Sequence, residues 1–464
     1  MSKLCAGVLV PKDFTVPCSY RRSRVPLCAA LAAAAALTAS AHADTPDASL
    51  EPADQAYAIN GQTTFVTQRT DGFHSPYSGT NSLKPSDSQE TFDATLYAGL
   101  RVGPRTELWA TPEVDQGFGL SDTLGVAGFP SGEAYKVGKS APYFKLPRAF
   151  ARITFDLGGD PERVEPGLMQ LGGEQTADRV VVTAGKLSVV DLFDGSRYAH
   201  DARGDFMNWA AIDAGSFDYA ADAWGYTIGA AAEWYRHEWA FRGGWFVLSD
   251  VPNSPKLDTS GDQYQWVGEI ERRFTLGGRA GRVLLTAFDT HGRMGLLDDA
   301  VRAAEISGGP VDIAAVREQR RRLGAHLTFE QELGANLALF ARAGVADGRV
   351  EAYEFTDVDS AFATGLTLNG ARWTRSDDTV GVALLVNAIS SERKRYLDAG
   401  GLGILVGDGK LPDPGRESIA ELYYSARIVA RFFVTLDYQY VENPAYNRDR
   451  GPVSILGLRF HAQF

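Results

Sequence analysis

The sequence predicts an all-β chain: a transmembrane antiparallel β-barrel of sixteen strands, with short periplasmic turns and long extracellular loops, some folded inward. Three observations carry this. Segment after segment alternates apolar and polar side chains with period two, the pattern of a sheet with two different faces. Connectors after odd-numbered segments are long, and those after even-numbered ones are mostly short. The last segment alternates down to Phe464, as a closing barrel strand does. Sorting loop length by parity is the asymmetry of a barrel spanning a bilayer; a soluble sandwich has no cause to do so.

The sixteen segments fall at 61–68, 91–102, 106–116, 148–157, 179–189, 224–235, 239–249, 264–275, 282–291, 321–331, 336–346, 361–369, 379–388, 418–427, 432–441 and 453–464. A short lead runs from residue 44 to about 60. In the second segment Phe92, Ala94, Leu96, Ala98 and Leu100 oppose Thr91, Asp93, Thr95, Tyr97 and Arg101. The third sets Leu108, Ala110 and Val114 against Glu107, Trp109, Thr111, Glu113 and Asp115; the fourth sets Ala149, Ala151, Ile153, Phe155 and Leu157 against Arg148, Phe150, Arg152, Thr154 and Asp156. Toward the end, Val434, Leu436, Tyr438 and Tyr440 oppose Thr435, Asp437 and Gln439. In the last segment Leu456, Leu458, Phe460 and Ala462 oppose Gly457, Arg459, His461 and Gln463. Residues 158–178, rich in Gly, Pro and Glu, form a long connector on the side where short ones are expected. A strand at 206–213 would break the parity, so that stretch belongs to the connector 190–223.

Residues 1–43 differ from the rest. Arg21, Arg22 and Arg24 precede an alanine-rich apolar run over 25–41, and Ala41-His42-Ala43 fits a cleavage site, so a secretory signal peptide is expected to be removed before Asp44. It takes all three cysteines with it (Cys5, Cys18, Cys28), so the exported chain has no disulfide to rely on. No other apolar run approaches the length of a membrane-spanning helix, which leaves strands untested. The 44% hydrophobic and 11% aromatic content excludes a disordered chain. The net charge of −12 leaves no basic surplus for nucleic acid.

Sixteen strands enclose an aqueous lumen. The polar faces then line the pore, giving Glu107, Trp109, Glu113, Asp115, Arg148, Phe150, Arg152 and Asp156 as candidates. Phe206 and Trp209 join them if the connector 190–223 folds inward; packing of those two rings against the inner wall is the alternative. Carboxylates and guanidinium groups bond hydroxyls in fixed directions, and aromatic rings cover the C–H face of a sugar, so the mixture suits a neutral polyhydroxylated solute. An ion-specific pore would show a ring of one sign. Charges that merely pair and keep the lumen wet are an equal alternative for any single residue.

Several stretches resemble the carbohydrate-selective OprB-type porins. The longest is Pro112-Glu113-Val114-Asp115-Gln116-Gly117-Phe118-Gly119-Leu120-Ser121-Asp122-Thr123-Leu124-Gly125-Val126-Ala127-Gly128-Phe129-Pro130-Ser131-Gly132-Glu133-Ala134-Tyr135. Others are Ser75-Pro76-Tyr77-Ser78-Gly79, Asp205 through Trp209, Phe217-Asp218-Tyr219 through Tyr226, and Asn443-Pro444-Ala445-Tyr446 through Pro452. The resemblance implies an outer-membrane channel for facilitated diffusion of glucose and similar sugars, narrowed by a mixed Arg/Glu and aromatic eyelet. Outer-membrane lipid and lipopolysaccharide are the expected surroundings, and a homotrimer is compatible with it. The turn at Pro104-Arg105 is leaner than the family's Trp- and Gly-containing version.

Other motifs point elsewhere only weakly. The histidines lack metal-ligand spacing, no Gly-x-Ser-x-Gly elbow is present, and Gly400-Gly401-Leu402-Gly403 has no βαβ setting. No cofactor, metal or enzymatic reaction is expected. Glu113 and Asp115 share one strand face and keep an exported β-rich glycan-binding or glycan-hydrolysing protein open as an alternative; a general diffusion porin without sugar preference is another. Asp357 and Asp359 are expected in a solvated acidic loop, 296–306 as a short loop helix, and Arg317, Arg320, Arg321 and Arg322 either at the outer rim near lipopolysaccharide phosphates or at the pore mouth.

Overall fold

The computed structural model describes residues 55–134 and 138–464; the expected signal peptide and Tyr135 lie outside them. Sixteen antiparallel strands close on themselves: Tyr57–Thr70 (β1), Asp87–Gly103 (β2), Thr106–Gly117 (β3), Lys139–Val164 (β4), Gly173–Leu187 (β5), Thr227–Arg236 (β6), Trp239–Val247 (β7), Tyr264–Leu276 (β8), Arg279–Met294 (β9), Glu318–Glu332 (β10), Leu337–Ala346 (β11), Ser360–Asn369 (β12), Thr379–Ala388 (β13), Glu417–Val429 (β14), Phe432–Glu442 (β15) and Val453–Gln463 (β16). Each strand pairs with its sequence neighbours, and β16 closes on β1 with Phe460 opposite Phe65. Closure leaves no unpaired sheet edge, the condition for strands to cross a bilayer.

Alternation decides which face meets lipid. On β8, β9 and β10 the neighbouring residues Ile270, Leu285 and Leu327 all point outward and are 43%, 51% and 46% exposed, while Glu269, Thr286 and His326 beside them are buried in the interior. Exposure of aliphatic side chains at that level is stable only against hydrocarbon. Trp234, Trp239 and Phe241 cluster at the short turn between β6 and β7, and Tyr264 and Trp266 start β8 at the other end. These rings form the two aromatic girdles of a spanning barrel.

The interior is packed rather than open throughout. Two loop segments, 118–134 and 188–226, fold into the barrel, and the second contains the one-turn helix Trp209–Ile212 (α1), capped by the Asn208 side chain. Phe129 and Ala220 from these loops are buried in the core, and Phe206 and Phe217 pack against Phe340, Tyr423 and Phe288 of the wall. Wall carboxylates hold the loop backbones: Glu417 accepts from the amides of Ala127 and Gly128, and Glu421 from those of Met207 and Asn208. Gly117 lets the chain turn inward, since a Cβ there would sit 2.0 Å from the Glu90 carbonyl oxygen.

Four expectations are corrected. Strand β4 begins at Lys139, not near 148, because a one-residue bulge at Leu146-Pro147 shifts the register: Thr111 pairs with Arg148 but Glu113 with Lys145. Residues 158–178 are mostly paired, as the continuation of β4 and β5 into one long hairpin. Asp357 and Asp359 are buried, not solvated, because Arg393 bonds both. That arginine lies in a helix the sequence does not announce, Ser391–Asp398 (α3), whose first turn the Ser390 hydroxyl caps. The expected loop helix is present as Leu297–Ser307 (α2). The arginine cluster divides: Arg322 is fully buried on Asp218 inside the barrel, whereas Arg321 is exposed on the outer face beside Asp289.

Candidate functional site

The folded loops leave two chambers that meet end to end. The upper one, about 280 Å³, is lined among others by Tyr97, Phe129, Arg148, Arg203, Trp209, Asp213, Tyr219, Trp224 and Tyr226. The lower one, about 490 Å³, opens toward the periplasmic turns and is walled by charge: Arg101, Glu107, Arg152, Arg179, Glu233, Arg242, Glu269, Glu271 and Arg282. Val190, Asp191 and His200, all from the loop 188–226, line both. The junction is therefore built by an inward loop, not by the wall alone.

Two guanidinium groups are fixed there. Arg148 donates from Nε and Nη2 to the two oxygens of Asp191 at 2.7 and 2.6 Å, and its guanidinium carbon lies 5.1 Å from the Tyr226 ring centre. Such a fork locks the planar group in one orientation. Asp191 sits in the short turn Val189–Asp191. Burial alone would raise its pKa, but the Arg148 charge, that bond and the Ser188 amide outweigh it and hold the carboxyl below its ordinary value. Arg203 hangs from the loop and reaches three carboxylates on different elements: Asp93 of β2 at 3.2 Å, Glu113 of β3 at 3.1 Å and Glu133 of the segment 118–134 at 3.2 Å. It ties both inward loops to the wall. Burial with these carboxylates, which outweigh the desolvation working against its charge, keeps Arg203 well above its ordinary pKa.

Aromatic rings face these charges. Trp209 of α1 stacks on Phe129 with centroids 5.1 Å apart and planes 11° from parallel, joining the two loops through one ring pair. Tyr219 and Phe355 meet at 4.8 Å beside it. Asp213, at the end of α1, is pushed up to about 6 by burial, with the Asp194 carboxylate adding to the rise.

The residues expected from the sequence separate into groups. Arg148 and Trp209 line the upper chamber; Glu107 and Arg152 line the lower one, where Glu107 lies 3.6 Å from Arg101 and 3.5 Å from Arg152. Glu113 and Asp115 face inward but lie behind the chambers, with Lys145 at 3.5 and 2.9 Å, so Glu113 acts through Arg203. Trp109 and Phe150 pair across β3 and β4 but line neither chamber; Trp109 lies flat over Gly99, where a Cβ would stand 2.4 Å from its ring, and donates to Glu107 at 3.0 Å. Asp156 is at the periplasmic rim, 2.5 Å from Arg105. Phe206 is fully buried between Phe340 and Tyr423, so it anchors the loop and presents no face to the path. Sequence reasoning missed Arg203, Glu133, Asp191, His200 and Tyr226. Asp201-Ala202-Arg203-Gly204-Asp205 carries a signal in retrospect, a lone arginine inside an acidic turn next to an aromatic run.

A closed sixteen-stranded barrel with inward loops and a charged path through it is a porin. Residues 81–464 match the carbohydrate-selective porin, OprB family, and the chain belongs to that family. It is a channel of the bacterial outer membrane for the passive diffusion of carbohydrates into the periplasm. The structure is similar to a high-pH structure of Pseudomonas putida OprB, with a TM-score of 0.67 at 16% identity, covering 88% of this chain and 94% of that one. It is also similar to the outer membrane channel DcaP of Acinetobacter baumannii, at a TM-score of 0.50 and 9% identity over 89% of this chain and 99% of that one. At these identities both likenesses concern the fold. No curated protein matches the chain by sequence.

Proposed function

We propose that the upper chamber is the selective eyelet and that it passes neutral sugars one ring at a time into the charged lower chamber. The observation that carries this is the pairing of two fixed guanidinium groups, Arg148 and Arg203, with the rings of Tyr97, Trp209 and Tyr226 around a space of about 280 Å³. That is just below the range of drug-sized small-molecule sites, roughly 300 to 1,000 Å³. Asp191 occupies Nε and Nη2 of Arg148, leaving Nη1 as a donor for a hydroxyl. The rings supply apolar cover for the other face of the sugar. Both signs line the chamber, Arg148 and Arg203 with Glu133, Asp191, Asp201 and Asp213, in place of the one-sign ring of an ion-specific pore.

Passage also requires weak holding. Hydroxyls bonding a pre-oriented guanidinium enter without reorganising the wall, and the second chamber offers further partners on the periplasmic side, so the solute steps onward instead of staying. The fold and family are those of a channel, and no reaction is assigned to it. At the outer rim, Arg321 is 59% exposed on the lipid side of β10, which supports contact with lipopolysaccharide phosphates.

Planar-bilayer conductance titrated with glucose tests the eyelet. Removing one charged hydrogen-bond donor costs roughly 1.5–3 kcal/mol, so Arg148→Ala is expected to weaken glucose block by about tenfold or more. Glu113→Ala, which removes one of the three carboxylates that hold Arg203, is expected to shift it in the same direction by less. Parent-level block in Arg148→Ala would place the sugar elsewhere.

A further inference from the structure

We propose that the long hairpin formed by the ends of β4 and β5 re-enters the barrel from the periplasmic side and is the inner specificity wall of the pore, with Leu168 and Met169 facing the sugar path. The inference rests on the upper chamber being that path.

Neighbouring strands stop before this hairpin does. Strand β3 begins at Thr106, opposite Ile153, and β6 ends at Arg236, after Tyr235 pairs with Arg179. Residues 154–178 thus extend past both neighbours, still paired with each other out to Val164 opposite Gly173. An apolar-poor ribbon leaving a barrel rim would ordinarily project into water. This one bends. The register breaks twice, between Asp156 and Gly158 and between Gly158 and Pro161, and Gly158 and Gly159 have φ of 120° and 84°. Bulges and positive φ together turn the ribbon sharply.

The bend brings the tip under the barrel mouth, and lumen-facing side chains fasten it. Asn60 of β1 donates to the carbonyls of Gly167 and Leu168 at 3.1 and 3.2 Å. Arg101 of β2 donates to the carbonyl of Gly172 at 3.0 Å, and Arg152 of β4 to that of Met169 at 2.9 Å. Gln55 completes the latch: its amide donates to the Gly172 carbonyl, and its side-chain oxygen accepts from the Gly172 amide. The tip itself is a tight turn, with Gly167 and Gln170 bonded to each other in both directions and Leu168-Met169 at its corner. Leu171 behind it is almost fully buried.

Position then assigns the role. Leu168 and Met169 line the upper chamber together with Trp209, while Gln170, Leu171 and Gly173 to Gln175 line the lower one. The hairpin flanks the whole route, with its apolar corner at the narrow part and its polar flank at the wide part. A flexible thioether in a chamber lined by tryptophan and tyrosine rings makes a soft, apolar clamp that a sugar ring passes and a bulkier oligosaccharide does not. The arginines that the sequence places on the pore wall, Arg101 and Arg152, have this second task of holding the tip.

Two variants of the full-length protein test this in planar bilayers. Replacing 158–177 by Asn-Gly, a two-residue turn suited to closing a hairpin, is expected to raise single-channel conductance at least twofold and to admit a trisaccharide that the parent excludes. Met169→Cys, which leaves the latch in place, is expected to react with a methanethiosulfonate carrying a trimethylammonium group, losing more than half its current, and glucose is expected to slow that reaction. A thiol that does not react, or that reacts to completion without changing the current, overturns the proposal, as does a hairpin deletion with parent conductance and size limit. Glucose block of the parent, measured alongside, separates the two ideas: if it is absent the eyelet itself fails, and if it is present while both variants behave as the parent, only the role of the hairpin fails.

Discussion

Asp213 and Arg203 set the charge of the upper chamber by opposite means. Arg203 keeps its charge because Asp93, Glu113 and Glu133 surround it; Asp213 holds back its own because burial penalises the carboxylate, pushing it up to about 6. The chamber therefore gains one negative charge as the pH rises from about 5 to about 7. Cation preference of the channel, measured as a reversal potential across a KCl gradient, is expected to rise by roughly twofold over that interval. Asp213→Asn is expected to abolish the rise and leave the low-pH value unchanged. A pH response that persists in that variant would assign it to another group. Arg203 and Asp213 share a trait that hid them from the sequence: both lie in a loop, where no period tells which way a side chain points. Arg148 was legible because it follows the alternation of a strand.

Strands and loops differ in the same way at the level of elements. All sixteen strands are visible in the sequence, since a strand with lipid on one side and water on the other must alternate, and the large displacements fall on one hairpin: a bulge at Pro147 moves the start of β4 and flips the parity of Tyr143 and Lys145 relative to Arg148, and the far ends of β4 and β5 run on through 158–178. The loop 188–226 was legible as long and aromatic, but not in its conformation, because distant wall residues determine it. Arg459 of β16 donates to the carbonyls of Ala202, Gly204 and Asp205, and Arg342 of β11 to those of Asp194 and Ala211. Asp194 in turn meets His326 and Arg342 at 3.1 and 3.3 Å. Arg459→Ala would leave three loop carbonyls without this donor, at about 1–3 kcal/mol for the buried one of Ala202 and less for the more exposed ones of Gly204 and Asp205. It is expected to keep the β-rich spectrum and heat resistance of the barrel while adding open-channel noise and weakening glucose block several-fold. A quiet channel with parent-level block would show that the loop holds its shape without Arg459.

For the whole molecule, the interior and the exterior are inverted relative to a soluble protein, and that inversion sets where a mutation is costly. Inside, Arg322 and Asp218 are both fully buried yet stand 2.7 Å apart, so charge is tolerated because it is matched. Outside, Ile270, Leu285 and Leu327 lie side by side on three strands, with nothing polar among them to receive a charge. A single arginine in place of Leu285 must be desolvated by hydrocarbon or must drag headgroups and water toward it, at about 2–4 kcal/mol near the middle of the bilayer and little near its surfaces. Leu285→Arg is therefore expected to lower the unfolding free energy by about that much in urea titrations from phospholipid vesicles. Thr286→Arg, one residue on, points into the lumen beside Glu269, to which its hydroxyl donates at 2.7 Å; there a guanidinium meets a carboxylate and water, and its effect is expected on conductance instead. Equal losses of stability at 285 and 286 would mean that position 285 does not face hydrocarbon, and the assignment of the two faces of this wall would have to be reversed or abandoned.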